Sequence, residues 1–459
     1  MGNQYEIYQY NKLEFKKNFL NSDFIGPFIW PKLKDFQKES IEHFKNKSLI
    51  KYNIERMKKF KERPCLGRRL KIGENENGEN IYENKYTYFS FNEVYKMMLN
   101  FAKNLHEKKN ELIFKDTYNN IEFNLIGIFA KNCAECVISD LGCQMDKITT
   151  VTLYATLGQD AFNFICNQTK IKTILVSPDL VEMLCNLKKK FNLNQLKSAI
   201  LFDLTTNCDS EFKLNELKKN GFNAYSFRND FIKENNIQES ELEISESETI
   251  MTICYTSGTT GEPKGVMLSQ RNLISVLETV IIGGDIPVDE YGAHISFLPL
   301  AHIFERMVIS GFMGVAGKVG FISGSVRTTL MDDIKIFGPT LLFTVPKVLQ
   351  NIRNKVFESF DKLPKWKKKL AYTAYNTKLE NYKKYGIITH LIYDNLVFKK
   401  IREMFGNKIR TVLCASAPLR KELADDFKVF LSVPVIEGLG MTEVAGSPFC
   451  TNFNDKKRS

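Results

Sequence analysis

The sequence predicts an α/β fold made of two doubly wound α/β/α lobes. From about residue 90 onwards, short apolar stretches suited to parallel strands alternate with amphipathic stretches suited to helices. The acidic segment 239–248 divides these stretches into two series, one for each lobe. Apolar residues make up 43% of the chain and charged residues 25%, which excludes a disordered, collagenous or coiled-coil protein. The predicted strands are residues 124–130, 148–154, 172–177, 198–204, 249–255, 294–300, 318–323, 340–346 and 408–416.

The segments before the first lobe are less regular. Residues 1–85 are interpreted as an N-terminal extension with helices, in which the polar, low-complexity residues 73–85 favour a hinge or surface loop. Ser90 and Glu93 have the spacing of a helix capping box, and apolar residues at helical spacing follow them. The first lobe is therefore assigned to residues 86–245 and the second to residues 246–459.

The cysteines and the start of the chain indicate the compartment. Ten cysteines in 459 residues are too few for a disulfide framework, and the polar first 17 residues are unlike a secretory signal. A cytoplasmic location is therefore expected. Cys133, Cys136 and Cys143 are close enough in sequence to consider a metal site, but their apolar neighbours favour a buried helix face.

The net charge of +11 includes one dense basic block at residues 51–71, with nine Lys and Arg residues against two Glu. Such a block can meet nucleotides, nucleic acid or an anionic membrane, but a solvated surface helix is the favoured interpretation. No stretch reaches the roughly 18 uncharged apolar residues of a membrane-spanning helix. Peripheral contact with an anionic membrane, such as the endoplasmic reticulum, is left open; nucleic acid is not an expected partner, and the sequence specifies no oligomeric state.

The most informative segment is residues 255–265, Tyr-Thr-Ser-Gly-Thr-Thr-Gly-Glu-Pro-Lys-Gly, which follows a predicted strand and precedes a helix. Its glycines leave backbone amides open to an anion, its hydroxyls can donate to phosphate oxygens, and Lys264 adds a positive charge. The order Pro-Lys-Gly differs from that of a Walker loop. A flexible surface turn is the alternative, which the adjoining strand disfavours. The candidate phosphate-binding residues are Thr256, Ser257, Gly258, Thr259, Thr260, Gly261 and Lys264.

This segment resembles the phosphate-binding signature of the adenylate-forming superfamily. Further segments match the superfamily in its own order and extend the resemblance over roughly residues 60 to 450. Among them, residues 296–306 (Ser-Phe-Leu-Pro-Leu-Ala-His-Ile-Phe-Glu-Arg) resemble the version found in long-chain fatty acid–CoA ligases. The other matching segments are residues 63–67, 153–158, 338–348, 414–419 and 437–443. The chain is thus similar to the long-chain fatty acid–CoA ligases.

The resemblance implies a role for each matching residue. Thr256–Lys264 would close over the phosphates of ATP, Thr442 and Glu443 would hold Mg²⁺ and the α-phosphate, and Thr256 would be a second Mg²⁺ ligand. His302 would lie near the carboxylate of the acyl substrate. The residues expected to act in catalysis are Lys264, His302, Thr442 and Glu443. The residues expected to border the adenine are Ala415, Ser416, Ala417, Pro418, Glu437 and Gly438.

The implied reaction has two steps. A fatty carboxylate attacks the α-phosphate of ATP to give acyl-AMP and pyrophosphate, and the thiol of CoA then displaces AMP. Such chemistry depends on charge neutralisation and alignment, which hydroxyls, backbone amides, Lys264 and Mg²⁺ can supply. Leu439 stands where long-chain relatives usually carry an aromatic residue that stacks on adenine.

The family pattern continues beyond the length of this chain, with a ribose-binding Asp and a small C-terminal domain that carries an adenylation Lys. The barrel-like third subdomain and the C-terminal domain are therefore expected to be largely missing, and acyl-CoA formation is expected to be slow. Two hypotheses follow: a fatty acid–CoA ligase completed elsewhere, or a truncated, non-catalytic fragment that binds ATP or acyl chains weakly. An aryl or amino acid substrate is a weaker alternative, because residues 302–306 are of the long-chain type.

Overall fold

Two groups of strands and three layers of helices form the part of the chain that the structure describes. The structure is a computed structural model, and it describes residues 7–9, 29–31, 47–118, 121–154, 158–205, 209–256, 262–283 and 288–451. The expected α/β architecture with two wound sheets is confirmed. A short antiparallel pair, Ile7–Gln9 with Ile29–Pro31, lies near the start of the chain.

The first sheet has eight strands. Six of its strands run parallel, and an antiparallel strand, Lys264–Ser269, adds to the edge beside Ile250–Thr256. Phe114–Tyr118 pairs antiparallel with the beginning of Ile121–Phe129. The strands are short and apolar because helices cover both faces of the sheet. In hydrogen-bonding order the main path is Asn223–Ser226, Ser198–Leu201, Thr173–Val176, Ile121–Phe129, Thr149–Leu153, Ile250–Thr256 and Lys264–Ser269.

The second group consists of two four-stranded sheets that adjoin at one edge. The backbone N–H of Thr340 donates to the carbonyl of Ala293 at 2.9 Å, and the N–H of Ala293 donates to the Thr340 hydroxyl, so the two edges lie side by side. One sheet has the order Ala293–Ser296, Lys318–Phe321, Pro64–Arg68 and Thr87–Ser90. The other has the order Leu341–Thr344, Thr411–Cys414, Val435–Met441 and Gly446–Cys450.

A shared helical layer lies between the two groups of strands. One apolar cluster contains Ile126 and Ile128 of the first sheet together with Val319 and Phe343 of the second group. The cluster is bridged by helices Leu49–Lys59, Phe91–Glu107, Ala134–Gln144 and Ile303–Gly314. The two lobes therefore share one core, which fixes the carboxyl edges of both groups of strands relative to each other.

The remaining helices cover the outer faces of the sheets. Those on the first sheet are Gln159–Thr169, Val181–Phe191 and Ser210–Lys219, and Lys109–Leu112 follows Phe91–Glu107. Those in the second half of the chain are Gln270–Gly283, Leu330–Phe337, Pro346–Asp361, Lys365–Tyr385, Lys399–Met404 and Lys421–Leu431. Single turns of 3-10 or π helix are Pro178–Leu180, Phe227–Phe231, Glu239–Glu241, Asp394–Phe398 and Thr442–Val444.

All nine predicted strands are present within a few residues of their expected bounds. The capping box is confirmed: Ser90 Oγ accepts from the Glu93 N–H, and the Glu93 carboxylate accepts from the Ser90 N–H. Cys136 and Cys143 lie on the buried helix expected for them, where burial raises the pKa of both thiols.

Three expectations differ from the structure. Residues 73–85 are not a plain loop, because Lys71–Glu74 and Asn80–Tyr82 pair as an antiparallel hairpin. The segment after Pro263 is a strand before it becomes a helix, because the chain reverses and Lys264–Ser269 completes the sheet edge. Sheet membership also crosses the division at residue 245: Ile250–Thr256 belongs to the first sheet, and Pro64–Arg68 belongs to the second group of strands.

Within the second group, a buried ion pair fastens the end of strand Pro64–Arg68 to helix Leu330–Phe337. The Arg69 guanidinium donates to Asp333 Oδ1 at 2.8 Å, and both side chains are buried. Asp333 also accepts from the N–H and the hydroxyl of Ser323. The carboxylate thus satisfies three donors from two distant parts of the chain.

We expect Asp333→Ala to lower the free energy of unfolding by about 3–5 kcal/mol, because it leaves the Arg69 charge buried without its partner. Urea denaturation followed by circular dichroism measures this change. Asp332→Ala removes the neighbouring exposed carboxylate and serves as the control, with an expected change within about 0.5 kcal/mol. Equal effects of the two substitutions would contradict a structural role for the buried pair.

Candidate active site

The loop that carries His302 is held by residues of the first lobe, although it follows strand Ala293–Ser296 of the second group. The Asn132 amide donates to the carbonyl of Leu298 at 2.6 Å and accepts from the N–H of Leu300 at 2.9 Å. The Thr152 hydroxyl donates to the carbonyl of Ala301 at 3.1 Å. The carboxyl ends of the two groups of strands therefore meet at this loop.

Helix Ile303–Gly314, called the bridging helix below, connects the two groups of strands through consecutive buried charges. Glu305 hydrogen-bonds to His294 Nε2 at 2.9 Å, and His294 belongs to the second group. Arg306 forms an ion pair with Asp140 and donates to the hydroxyl of Thr252 in the first sheet. Burial alone lowers the pKa of Arg306, but the Asp140 carboxylate reverses this and keeps the guanidinium charged. The first turn of the bridging helix is thus fixed from both sides.

His302 is the N-cap residue of the bridging helix. Its ring packs against the ring of Tyr154, with centroids 4.9 Å apart, and the Tyr154 hydroxyl donates to the carbonyl of Tyr255. The imidazole keeps an exposed edge, yet desolvation lowers its pKa below the ordinary 6.5. His302 is therefore neutral at pH 7 and interacts with a ligand through hydrogen bonds rather than through charge.

Thr256 and Lys264 lie opposite each other where the first sheet's edge hairpin opens. Their backbones are paired in the register of strands Ile250–Thr256 and Lys264–Ser269, with Thr256 half-buried and Lys264 exposed. The predicted strand is present as Ile250–Thr256, and it is largely buried. The other candidate phosphate-binding residues lie outside the described residues: Ser257, Gly258, Thr259, Thr260 and Gly261. Their role stays a prediction.

The turn Thr442–Val444 packs near this hairpin despite the long separation in sequence. The next residue, Ala445, is buried in an apolar cluster with Cys254 and Leu268 of the hairpin and with Met307 of the bridging helix. Gly446 approaches Met307 so closely that a Cβ would come within 2.7 Å of the sulfur. The backbone that carries Thr442 and Glu443 is therefore brought to the same region as Lys264 and the bridging helix.

The candidate adenine-side residues lie on two adjacent parallel strands. Cys414 and Glu437 are partners in the register of Thr411–Cys414 and Val435–Met441, so the loop 415–418 begins beside Glu437. The Glu437 carboxylate accepts from the N–H of Leu419 at 2.9 Å and so closes this loop. Ala415 and Gly438 are buried, whereas Ser416, Ala417 and Pro418 are exposed, and Ser416 has a positive φ of 71°. These six residues thus lie next to one another at the ends of two paired strands.

The described residues contain no group of three or more His, Cys, Asp and Glu side chains placed to hold a metal ion. This is compatible with Mg²⁺ bound together with a nucleotide, since Mg²⁺ commonly uses one or two carboxylates and takes its other oxygens from phosphates and water. Glu443 is exposed and half-buried Thr442 precedes it, so this turn offers one carboxylate and one hydroxyl.

The sequence was compared with protein families and with proteins of known name. Residues 57–459 match a family described as AMP-binding enzyme. The chain belongs to this family. As an AMP-binding family member it is 33% identical over 324 residues to fatty acyl-CoA synthetase A of Dictyostelium discoideum, and 33% identical over 342 residues to long-chain-fatty-acid–CoA ligase 5 of Mus musculus. These matches confirm the family resemblance.

The matched regions cover 70% and 74% of this chain but 46% and 49% of the two relatives, so the chain spans about half the length of the curated relatives it matches. Its fold is similar to that of the A domain of the carboxylic acid reductase from Segniliparus rugosus, solved in complex with AMP and a co-purified carboxylic acid. The TM-score is 0.69 at 18% sequence identity, covering 92% of this chain and 65% of that chain. At this identity the likeness concerns the AMP-binding fold alone.

Sequence reasoning did not identify the residues that hold the site of this AMP-binding family member together. Asn132, Thr152 and Tyr154 fix the His302 loop, and Glu305 and Arg306 fix the helix after it. Two signals were available: Tyr154, Glu305 and Arg306 lie in segments that match the family, and Glu305 and Arg306 are adjacent charges in an otherwise apolar stretch. Asn132 has no comparable signal, because a single polar residue after a strand is common.

We expect the imidazole of His302 to titrate below pH 6.5, because the surrounding protein, including the packed Tyr154 ring, removes part of the water that would solvate the protonated form. NMR titration of the His302 side chain measures its pKa. Tyr154→Ala removes the ring and raises this pKa towards 6.5, whereas Tyr154→Phe retains the ring and leaves the pKa low. An unchanged pKa in Tyr154→Ala would contradict this explanation.

We expect Glu437→Ala to accelerate hydrogen exchange of the Leu419 amide by at least about tenfold, because the amide loses its only described acceptor. Hydrogen exchange measured by NMR or mass spectrometry reports this change. Glu437→Gln keeps an oxygen at the same position and is the matched control, with most of the protection retained. Fast exchange of Leu419 in the unmodified protein would show that this hydrogen bond does not hold the loop.

Proposed function

We propose that this protein takes part in ATP-dependent activation of long-chain fatty acids to acyl-CoA through an acyl-AMP intermediate. The observation that carries the proposal is the meeting of the His302 loop, the Thr256–Lys264 hairpin and the Thr442–Val444 turn at the carboxyl edges of two groups of strands. Ligands of open α/β sheets bind at such edges. The chain belongs to the AMP-binding family, which supports a nucleotide as the ligand at these edges.

The nucleotide is proposed to lie along the second group of strands. Ala415, Ser416, Ala417, Pro418, Glu437 and Gly438 border the adenine in this proposal. The closure of loop 415–418 by Glu437 gives the base a preformed surface, and the buried Ala415 and Gly438 allow close backbone approach. Leu439 next to them is 70% exposed, which offers the base an apolar contact.

The phosphates are proposed to lie between Lys264 and Glu443. Lys264 supplies a positive charge to the phosphate oxygens, and Glu443 holds Mg²⁺ together with them, with Thr442 and Thr256 as hydroxyl partners. Mg²⁺ held there would supply positive charge that neutralises the phosphates. In the proposed step the fatty carboxylate forms a bond to the α-phosphorus as the bond from that phosphorus to pyrophosphate breaks. The segment 257–261 would complete this cradle as predicted.

The acyl substrate is proposed to place its carboxylate near His302. Because His302 is neutral, it can donate one hydrogen bond to the carboxylate without neutralising the attacking oxygen. A pocket lies directly behind the His302 loop and is bordered by Thr152 and Ala301. The cavity has a volume of only about 40 Å³ and its lining includes the charged Asp140 and Arg306, so it does not by itself hold a long chain. The proposal of a long hydrocarbon chain rests on the fatty acid–CoA ligases to which this chain is similar. The apolar lining residues include Ile128, Val137, Leu141, Leu153, Leu300 and Ile309.

The proposed reaction uses ATP and CoA, which are abundant in the cytoplasm, and we propose a cytoplasmic location. All nine cysteines of the described residues are free thiols, which fits a reducing compartment. No helix in the described ranges has the length and apolarity needed to cross a membrane.

Binding of Mg²⁺-ATP by the purified 459-residue chain, and palmitate-dependent release of pyrophosphate, test the proposal directly. Lys264→Ala and Glu443→Gln are each expected to weaken ATP binding at least about tenfold, because each removes a charged contact. They are expected to slow pyrophosphate release by about 10²–10³-fold. Lys189→Ala and Glu422→Gln remove exposed charges elsewhere and are the matched controls.

The outcomes distinguish the two hypotheses. ATP binding together with palmitate-dependent pyrophosphate release supports the ligase chemistry, and addition of CoA then gives palmitoyl-CoA. ATP or palmitate binding without pyrophosphate release supports a non-catalytic binding fragment. A folded chain that binds neither ligand, or whose ATP binding is unaffected by both site variants, would overturn the site assignment.

A further inference from the structure

Most of the net positive charge of the chain is concentrated in one stretch. Residues 362–400 carry ten lysines and two acidic residues, a formal charge of +8 in a chain whose total is +11. Lys368 pairs with Asp361, and Lys378 pairs with Asp394. Lys383, Lys384, Lys399 and Lys400 are exposed, and none of them forms an ion pair with another described residue. Their charges are therefore available to an external partner.

The same stretch exposes large apolar side chains. Leu391, Ile392 and Leu396 are 92%, 65% and 56% exposed. Ile392 and Leu396 lie one helical turn apart on the same face, since the N–H of Leu396 donates to the carbonyl of Ile392, and Leu391 immediately precedes them. Phe398 points from the opposite face into the core and is fully buried. Tyr385 and Ile387 add two more exposed apolar groups just before the turn. We call these five apolar residues, with the four lysines, the 383–400 patch.

The 383–400 patch is anchored to the fold rather than loosely attached. Asp394 accepts from the buried ammonium of Lys378 at 2.6 Å and from the N–H of His390 at 2.8 Å. The Arg402 guanidinium donates to the carbonyl of Asp394. These contacts fix the turn on the helix Lys365–Tyr385, so the apolar side chains are held outward in a defined arrangement.

We infer that the 383–400 patch docks onto the surface of an anionic lipid bilayer. Exposed leucine and isoleucine side chains gain free energy by entering the region between headgroups and acyl chains, and the flanking lysines are attracted to anionic headgroups. A nucleic acid would satisfy the lysines but leave three neighbouring aliphatic side chains in water. The combination of both features therefore favours a membrane.

The basic block at residues 51–71 does not offer an equivalent surface. The apolar face of helix Leu49–Lys59 is buried in the shared core. Lys51, Lys58 and Arg69 of the block pair with Glu246, Glu239 and Asp333. The sequence pointed to residues 51–71 as a candidate membrane contact. We assign that contact to the 383–400 patch instead. The inference rests on this surface alone and does not depend on the proposed reaction.

Co-sedimentation with vesicles tests the inference on the 459-residue chain. We use vesicles of phosphatidylcholine alone and vesicles of phosphatidylcholine with phosphatidylserine at roughly three to one. The chain is expected to bind the anionic vesicles at least about tenfold more tightly, with binding that weakens as salt is added. Equal or absent binding to both vesicle types overturns the inference.

Two variants separate the electrostatic from the apolar contribution. Each is expected to weaken binding to anionic vesicles at least about tenfold, and circular dichroism verifies that both remain folded. The charge variant combines Lys383→Gln, Lys384→Gln, Lys399→Gln and Lys400→Gln. The apolar variant combines Leu391→Ser, Ile392→Ser and Leu396→Ser.

Matched controls remove the same kinds of side chain elsewhere and are expected to change binding by no more than about twofold. If they weaken binding as much as the patch variants, total charge or total apolar exposure explains the effect and the inference is wrong. The charge control combines Lys115→Gln, Lys189→Gln, Lys218→Gln and Lys219→Gln, all at exposed positions. The apolar control combines Ile72→Ser and Phe212→Ser, both at exposed positions.

A duplex DNA and a single-stranded RNA oligonucleotide provide the competing partner. If the chain binds an oligonucleotide more tightly than anionic vesicles, and only the charge variant loses that binding, the patch is a nucleic-acid surface and the membrane inference is overturned. Loss of vesicle binding in the apolar variant with oligonucleotide binding unchanged supports the membrane.

Discussion

The arrangement of the candidate site depends on two consecutive buried charges in the first turn of the bridging helix. Glu305 reaches His294 in the second group of strands, and Arg306 reaches Asp140 and the first sheet. Leaving any of these groups buried without its partner costs several kcal/mol, so the two contacts allow little freedom in the position of the helix. Two side chains that are adjacent in sequence, Glu305 and Arg306, therefore fix the position of one sheet edge relative to the other.

This constraint explains why residues from distant segments meet. His302 begins the bridging helix, and its loop is hydrogen-bonded to Asn132 and Thr152 of the first lobe. The same helix receives Ala445 and Gly446 beside Met307, which brings the Thr442–Val444 turn towards the edge hairpin. A site assembled in this way needs both lobes to be folded, because neither sheet contributes all of its parts.

The electrostatic character of the molecule is divided between two regions. The site region has a neutral histidine, an exposed lysine and an exposed glutamate, which suits a ligand that brings its own negative charge and metal ion. The excess of lysine lies instead on residues 362–400, within the helical covering of the second group of strands. The net positive charge of the chain therefore reflects the surface of these helices rather than the candidate site.

The sequence by itself determined the α/β class, all nine predicted strands and the Ser90–Glu93 cap, because these follow from local periodicity and short-range hydrogen bonds. Its motifs also identified the AMP-binding family. Only the tertiary structure decided that Lys264–Ser269 is an edge strand, that Pro64–Arg68 joins a sheet with residues about 250 positions later, and that Asn132 and Arg306 hold the His302 loop and helix. Such pairings depend on which surfaces are brought together when both lobes pack on one helical layer, and no local pattern records that choice.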